Sequence, residues 1–218
     1  MCVLIWRLTM SSYMNKKIIC KCCEKSYTAR MVRGLSQTIV PDLDMNPHDP
    51  AVFDRIVMCP HCGYATWNVM EEVDGQIVSA VQSKEYRSMF LAPDTDGVQK
   101  KLRLAGWLSK KRGQDYDAGY QYLMVYWHMK NQGEDAEKYL SEVINCFSKY
   151  LEGHADIETA IILIDCLRQA SRFIEADETA HSLMPYIKKE LHRQIVAFEL
   201  ELIAQKNSTS HSQNEVMP

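Results

Sequence analysis

No stretch of this chain stays apolar for long. The early burst from Cys2 to Trp6 is five residues. A membrane helix needs ~18, and the core of a secretory leader ~7–15 with a basic residue before it. Neither a membrane partner nor an export signal is therefore expected. Charge of one sign is also lacking, with 25 Lys and Arg against 28 Asp and Glu and a net charge of −3. That balance excludes a basic surface over the whole molecule, while leaving room for a local one. The chain has no Gly-rich phosphate loop, no Ser nucleophile elbow and no HExxH. The commonest nucleotide-binding, acyl-transfer and metalloprotease machineries have no foothold here. His128, His154, His181, His192 and His211 show no ligand-like spacing. These absences point away from an enzyme.

What is present starts with sulfur. The eight cysteines are Cys2, Cys20, Cys22, Cys23, Cys59, Cys62, Cys146 and Cys166. In a chain of 218 residues without a leader, paired CxxC motifs indicate metal or redox chemistry in a reducing, cytoplasmic setting rather than a disulfide framework. Met14 opens "MNKKIICKCC" and would make a natural start for such a protein. The composition, 46% hydrophobic and 24% charged, suits one or two globular domains.

The pattern changes near residue 80, which makes the expected fold class α+β. Residues 1–15 read as a flexible extension. Residues 16–79 read as a small β-rich, zinc-ribbon-like module. In it "KKIIC" and "SYTARMV" are strands around one cysteine turn, and "FDRIVMC" and "YATWNV" are strands around the other. Between them "SQTIVPDLDMNPHDP" is loop. Gly63, directly after Cys62, stands where a metal knuckle often needs a positive φ. Residues 80–206 alternate helical runs of about 13–20 residues with short polar breaks, as in antiparallel helix pairs. They begin with a connecting helix that ends at Pro93 and close with a long helix opened by Pro185. "RQASRFIEADETA" is similar to the turn and second helix of a tetratricopeptide (TPR) repeat, so the array is expected to be TPR-like. Residues 207–218 are polar and read as a disordered tail.

The x₂ spacing selects Cys20 with Cys23 and Cys59 with Cys62 as a four-thiolate site. A CxxC turn holds two sulfurs about 3.5–4 Å apart on one side of a tetrahedral ion. Zn²⁺ is the expected ion, and iron suits the same donors. The 35 residues between the pairs are more than usual, yet loop-closure cost grows only logarithmically. Cys22 has no partner at the right spacing, and adjacent cysteines cannot both face one ion. It reads as a spare thiol, or as a redox trigger that, once oxidised by a peroxide to a sulfenic acid, could form a disulfide with a ligand thiolate, releasing water, and eject the metal. His61 reads as solvent-facing, and His48 as a weak reserve ligand. Cys146 and Cys166 read as core.

A second candidate surface lies at residues 100–112. Helical spacing puts Lys100, Arg103, Lys110 and Lys111 on one side with Trp107 among them, a face for nucleic acid or another partner. The alternative is a solvated face with Trp107 packed on the next helix. Asp42, Asp44 and Asp49, with Asn46, lack calcium-loop spacing and read as turn caps.

Together "CKCCEKSYTARMVR", "DLDMNPHDPAVFDRIVMCPHCGYA", "LRLAGWL" and "IDCLRQASRFIEA" resemble a bacterial domain family of unknown function. Its members carry two CxxC turns separated by an Asp-rich "NP" loop, a second turn of the form CPxCGYA, and a TPR-like helical region. The resemblance spans roughly residues 16–185. It implies a metal-binding module on a helical interaction scaffold, with cysteine roles at Cys20, Cys23, Cys59 and Cys62, and it brings no activity. The first turn departs from the usual CPxC, with Lys21 in place of proline and Cys22 added. The expectation is a non-enzymatic, cytoplasmic zinc-binding protein that presents its helices to a protein or peptide partner. The alternatives are a nucleic-acid-binding protein acting through the 100–112 face, and a thiol redox sensor acting through Cys22.

Overall fold

The first knuckle is the turn of an antiparallel hairpin, β1 (Ser12–Ile19) and β2 (Ser26–Gly34). In a computed structural model that describes residues 11–35, 40–93 and 96–216, one side of this hairpin is buried near its turn. Ile18 and Ala29 pack there against Val57 and Val69. The strand takes in Ser12–Asn15, which corrects the expectation of a flexible extension over residues 1–15. The rest of that extension, residues 1–10, lies outside the described residues.

The expected second strand pair is much reduced. It consists of β3 (Val57–Met58) and β4 (Ala65–Thr66), two residues each. Upstream, Asp49 caps a 3₁₀ turn, Pro50–Arg55, by accepting from the Ala51 N–H, and Pro50 occupies its first turn. A segment begun by a capping Asp and a Pro with φ fixed near −65° turns instead of extending.

Helix starts at Gly75, ahead of the expected boundary near residue 80. The connecting segment is two helices, α1 (Gly75–Gln82) and α2 (Lys84–Leu91). Ser83 breaks them apart: extended in backbone, it caps α2 by accepting from the Tyr86 N–H. Then follow α3 (Gly97–Lys111), α4 (Asp115–Asn131), α5 (Glu137–Leu151), α6 (Ile157–Gln169), α7 (Phe173–Leu183) and α8 (Glu190–Ala204). Each of these packs on the one before it, and the short connections make neighbours antiparallel. Pro185 sits in a 3₁₀ turn, Met184–Tyr186, so the last helix opens five residues later than expected.

Helix α4 is the central rod. Its residues Gln121 to Trp127 are all buried, and a helix apolar on every side belongs inside a core. It lies close to α5 because Gly119 has no side chain: a Cβ there would meet the Phe147 ring at 2.5 Å. The core that surrounds α4 also contains Cys20, Cys59, Tyr64 and Ala65 of the cysteine-bearing region. The cysteine turns therefore share the helices' core, while Ile18, Ala29, Val57 and Val69 form a small cluster of their own.

The tail is also ordered, which corrects the disorder expected for residues 207–218; of these, 217–218 lie outside the described residues. Leu43 N–H donates to the His211 carbonyl, Gln213 N–H donates to that of Pro41, and Ser212 bridges to Asp42. The anchor is Arg168 on α6, which is fully buried. Its Nη1 donates to the carbonyls of Asn207 and Thr209, both at 2.8 Å. Its Nε donates to Glu199 at 2.6 Å, and Nη2 to Asp165. A polar tail with too little apolar surface to bury is held here by charge-assisted bonds to a guanidinium.

Candidate metal centre

Two copies of one turn build the site. In the first, the Glu24 N–H donates to the Cys20 carbonyl at 2.8 Å and the Cys20 N–H to Lys25 at 3.0 Å. In the second, the Gly63 N–H donates to Cys59 at 2.9 Å and the Cys59 N–H to Tyr64 at 2.9 Å. Each turn points two sulfurs at the other turn. Cys20 Sγ is 3.7 Å from Cys62 Sγ, Cys23 Sγ is 3.8 Å from Cys59 Sγ, and all four lie within 4.8 Å of one another.

These distances carry chemical meaning. A disulfide would need ~2.05 Å. A tetrahedral ion with metal–sulfur bonds of ~2.3 Å has sulfur–sulfur edges of ~3.8 Å. The four cysteines can therefore hold a metal ion. Burial pushes the Cys20 thiol up and takes Cys59 to about 11. A hydrogen bond with Cys22, with burial second, pushes Cys62 up. Burial opposes ionisation of Cys23 as well, but the Lys25 backbone and neighbouring thiols hold it below the ordinary value. Thiols crowded this closely resist becoming four thiolates unless a cation neutralises them, and a bound cation would displace their protons.

The site is fixed to the helices through its second turn. Tyr86 of α2 donates to the Gly63 carbonyl at 2.8 Å, and Arg112 at the end of α3 donates to Tyr64 at 3.0 Å and Glu71 at 3.1 Å. Cys22 is half-buried, and its hydrogen bond with Cys62 lowers its own thiol. His61 is exposed, with a ring nitrogen 3.2 Å from the Ser26 carbonyl. His48 pairs with Asp42 at 2.9 Å. Cys146 and Cys166 are buried in helices.

The 100–112 segment differs from a free basic face. Lys110 pairs with Glu142 at 2.7 Å, and the neighbouring Lys101 pairs with Asp54 at 2.6 Å. Arg103 donates to the Met89 carbonyl. Trp107 is half-buried, packs on Tyr86 and donates to Glu85, with Lys111 4.7 Å from its ring. Lys100 is half-buried. Asp44, Asn46 and Asp49 each accept from a backbone N–H two residues on, as turn caps do, and all are buried together with Asp42.

A groove that the sequence did not announce lies between α4, α6, α8 and the 41–45 loop. It encloses 760 Å³, and its walls include Trp67, Tyr116, Tyr120, Ile162 and Ile195, with Leu191 and His192 at the α8 side. Its one sequence signal was the aromatic density of α4. Among the described residues, no helix is long and apolar enough to cross a membrane. Comparison with protein-family models, curated proteins and solved structures gave no match.

Proposed function

We propose that this protein is a non-enzymatic zinc-binding scaffold of the cytoplasm, with a structural zinc held by Cys20, Cys23, Cys59 and Cys62 and a helical groove that takes a protein or peptide partner. The observation that carries this reading is the four-sulfur cage, set into the same core as the helices. A closed set of four thiolates leaves no coordination position for water or substrate, so the metal's work is to hold the fold. Iron suits the same donors. A colourless protein is expected for zinc, and visible thiolate-to-metal absorption would mark iron. The TPR-like character of the helices is part of this proposal, because stacked helix pairs present extended concave surfaces.

Chelation tests the structural role. Stripping the metal should lower the melting temperature of the helices, followed by far-UV circular dichroism, by more than about 5 °C, because Cys20, Cys59, Tyr64 and Ala65 of the cysteine turns are part of the helical core. Helices that melt unchanged after complete metal removal would contradict it.

A further inference from the structure

The β1–β2 hairpin concentrates positive charge in a chain that is acidic overall. Between Ser12 and Gly34 stand Lys16, Lys17, Lys21, Lys25, Arg30 and Arg33, against the single acid Glu24. Lys21 pairs with Glu72 at 2.5 Å. Lys16, Lys17, Lys25 and Arg33 are exposed and make no ion pair among the described residues. On α3, by comparison, Lys101 and Lys110 are paired with Asp54 and Glu142 of neighbouring elements, Arg103 with the Met89 carbonyl, and Lys111 lies over Trp107.

The strand register sorts these side chains by face. Asn15 is opposite Arg30, Lys17 opposite Thr28 and Ile19 opposite Ser26. Directly paired residues share a face, and alternation puts these six opposite to Ile18 and Ala29, which are buried. All six are exposed. The outer face of the hairpin is thus a small grid of hydrogen-bonding and cationic side chains, with Ile19 standing 65% exposed beside them.

We propose that this outer face is a docking surface for duplex DNA, laid along the major groove. That groove, ~12 Å wide, admits a two-stranded β-ribbon whose strands are ~4.8 Å apart. Arg, Lys, Asn and Thr are the side chains that hydrogen-bond base edges there, and an apolar side chain such as Ile19 suits a thymine methyl. Lys25 in the turn and Arg33 near the open end supply phosphate contacts at the two ends of the grid, whereas Lys16, opposite Ala29, belongs to the other face. A single-strand platform would offer a row of stacking aromatics. This face has Tyr13 alone, already covered by Arg30 at 3.7 Å. The surface is separate from the helical groove, and neither proposal depends on the other.

The test uses the full, metal-loaded chain and fluorescence anisotropy with a labelled mixed-sequence duplex. The same-length single strand and anionic phosphatidylglycerol vesicles serve as competitors. Duplex binding should weaken on the order of 100-fold from about 50 to about 200 mM salt, the dependence expected for about four phosphates. Lys17→Glu with Arg30→Glu should weaken it at least ~10-fold at the lower salt, while Lys100→Glu with Lys111→Glu changes it less than ~2-fold. If the charge-reversed hairpin folds poorly, Lys17→Gln with Arg30→Gln should give the same ordering. No duplex binding at about 50 mM salt would overturn the proposal. So would equal losses in the hairpin and α3 variants, or tighter binding to the single strand or the vesicles than to the duplex.

Discussion

Glu24 and Gly63 occupy the same position in two copies of one turn. Each follows the second cysteine of its pair, each donates its N–H to the carbonyl of the first cysteine, and each is left-handed, with φ of 60° and 81°. Glycine enters that region freely, whereas a residue with a Cβ loses roughly 1–2 kcal/mol there. Glu24→Gly should therefore stabilise the metal-loaded protein by about 1 kcal/mol, measured by urea unfolding. Gly63→Ala should destabilise it by about 2 kcal/mol or more. Besides the strain, its Cβ would meet the Phe90 ring at 2.7 Å. Equal effects at the two positions would contradict the pairing of the turns.

Arg168 ties the tail to α6 and α8. Arg168→Met would leave the Asp165 and Glu199 carboxyls buried without their guanidinium. The expected loss is about 3–5 kcal/mol, as for breaking other buried ion pairs. Limited proteolysis should then cut within 207–216 first, because Asn207 and Thr209 lose their anchor. A variant that is destabilised yet keeps a protected tail would show that the tail is held by other means.

Asp44 gives the fold a pH dependence. Burial, with the charge of Asp165 nearby, pushes its carboxyl up to about 7. A carboxyl raised in the folded state binds its proton more tightly there than in the unfolded chain. Its contribution to stability is full below the unfolded value of about 4 and is lost as pH rises through 7. Asp44→Asn has no such proton. The stability of the wild type relative to this variant should fall as pH is raised from about 5 to about 8. Urea midpoints of both proteins, metal-loaded, measure it. A difference that stays flat or grows with pH would contradict the buried, protonated carboxyl.

The helical groove should select peptides. A random peptide display panned on the wild type is expected to enrich a common motif. Leu191→Glu should abolish that enrichment, since Leu191 is 39% exposed and lines the groove. Enrichment that survives the substitution would place the peptide elsewhere.

Some of this was written locally and some was not. The four sulfurs that come together are the four that x₂ spacing selects, because a chelating turn depends on neighbours in sequence. The need for a positive φ after Cys62 was visible in Gly63. Its counterpart after Cys23 was not, because Glu24 looks like any exposed acid. Lys100, Arg103, Lys110 and Lys111 read as one charged face by helical spacing, but the partner of Lys110, Glu142, comes from α5 and is invisible to that spacing. The tail looked disordered by composition. Its order depends on Arg168, 39 residues before Asn207, and on a burial that only the assembled helices create.

Elemental analysis of the chain purified without added metal addresses the cage itself. One zinc per chain is expected in the wild type and in Cys22→Ser, with none in Cys23→Ser or Cys62→Ser. Metal retained by both ligand variants would contradict a four-thiolate zinc centre, as would a metal-free wild type whose CxxC thiols cycle through disulfides.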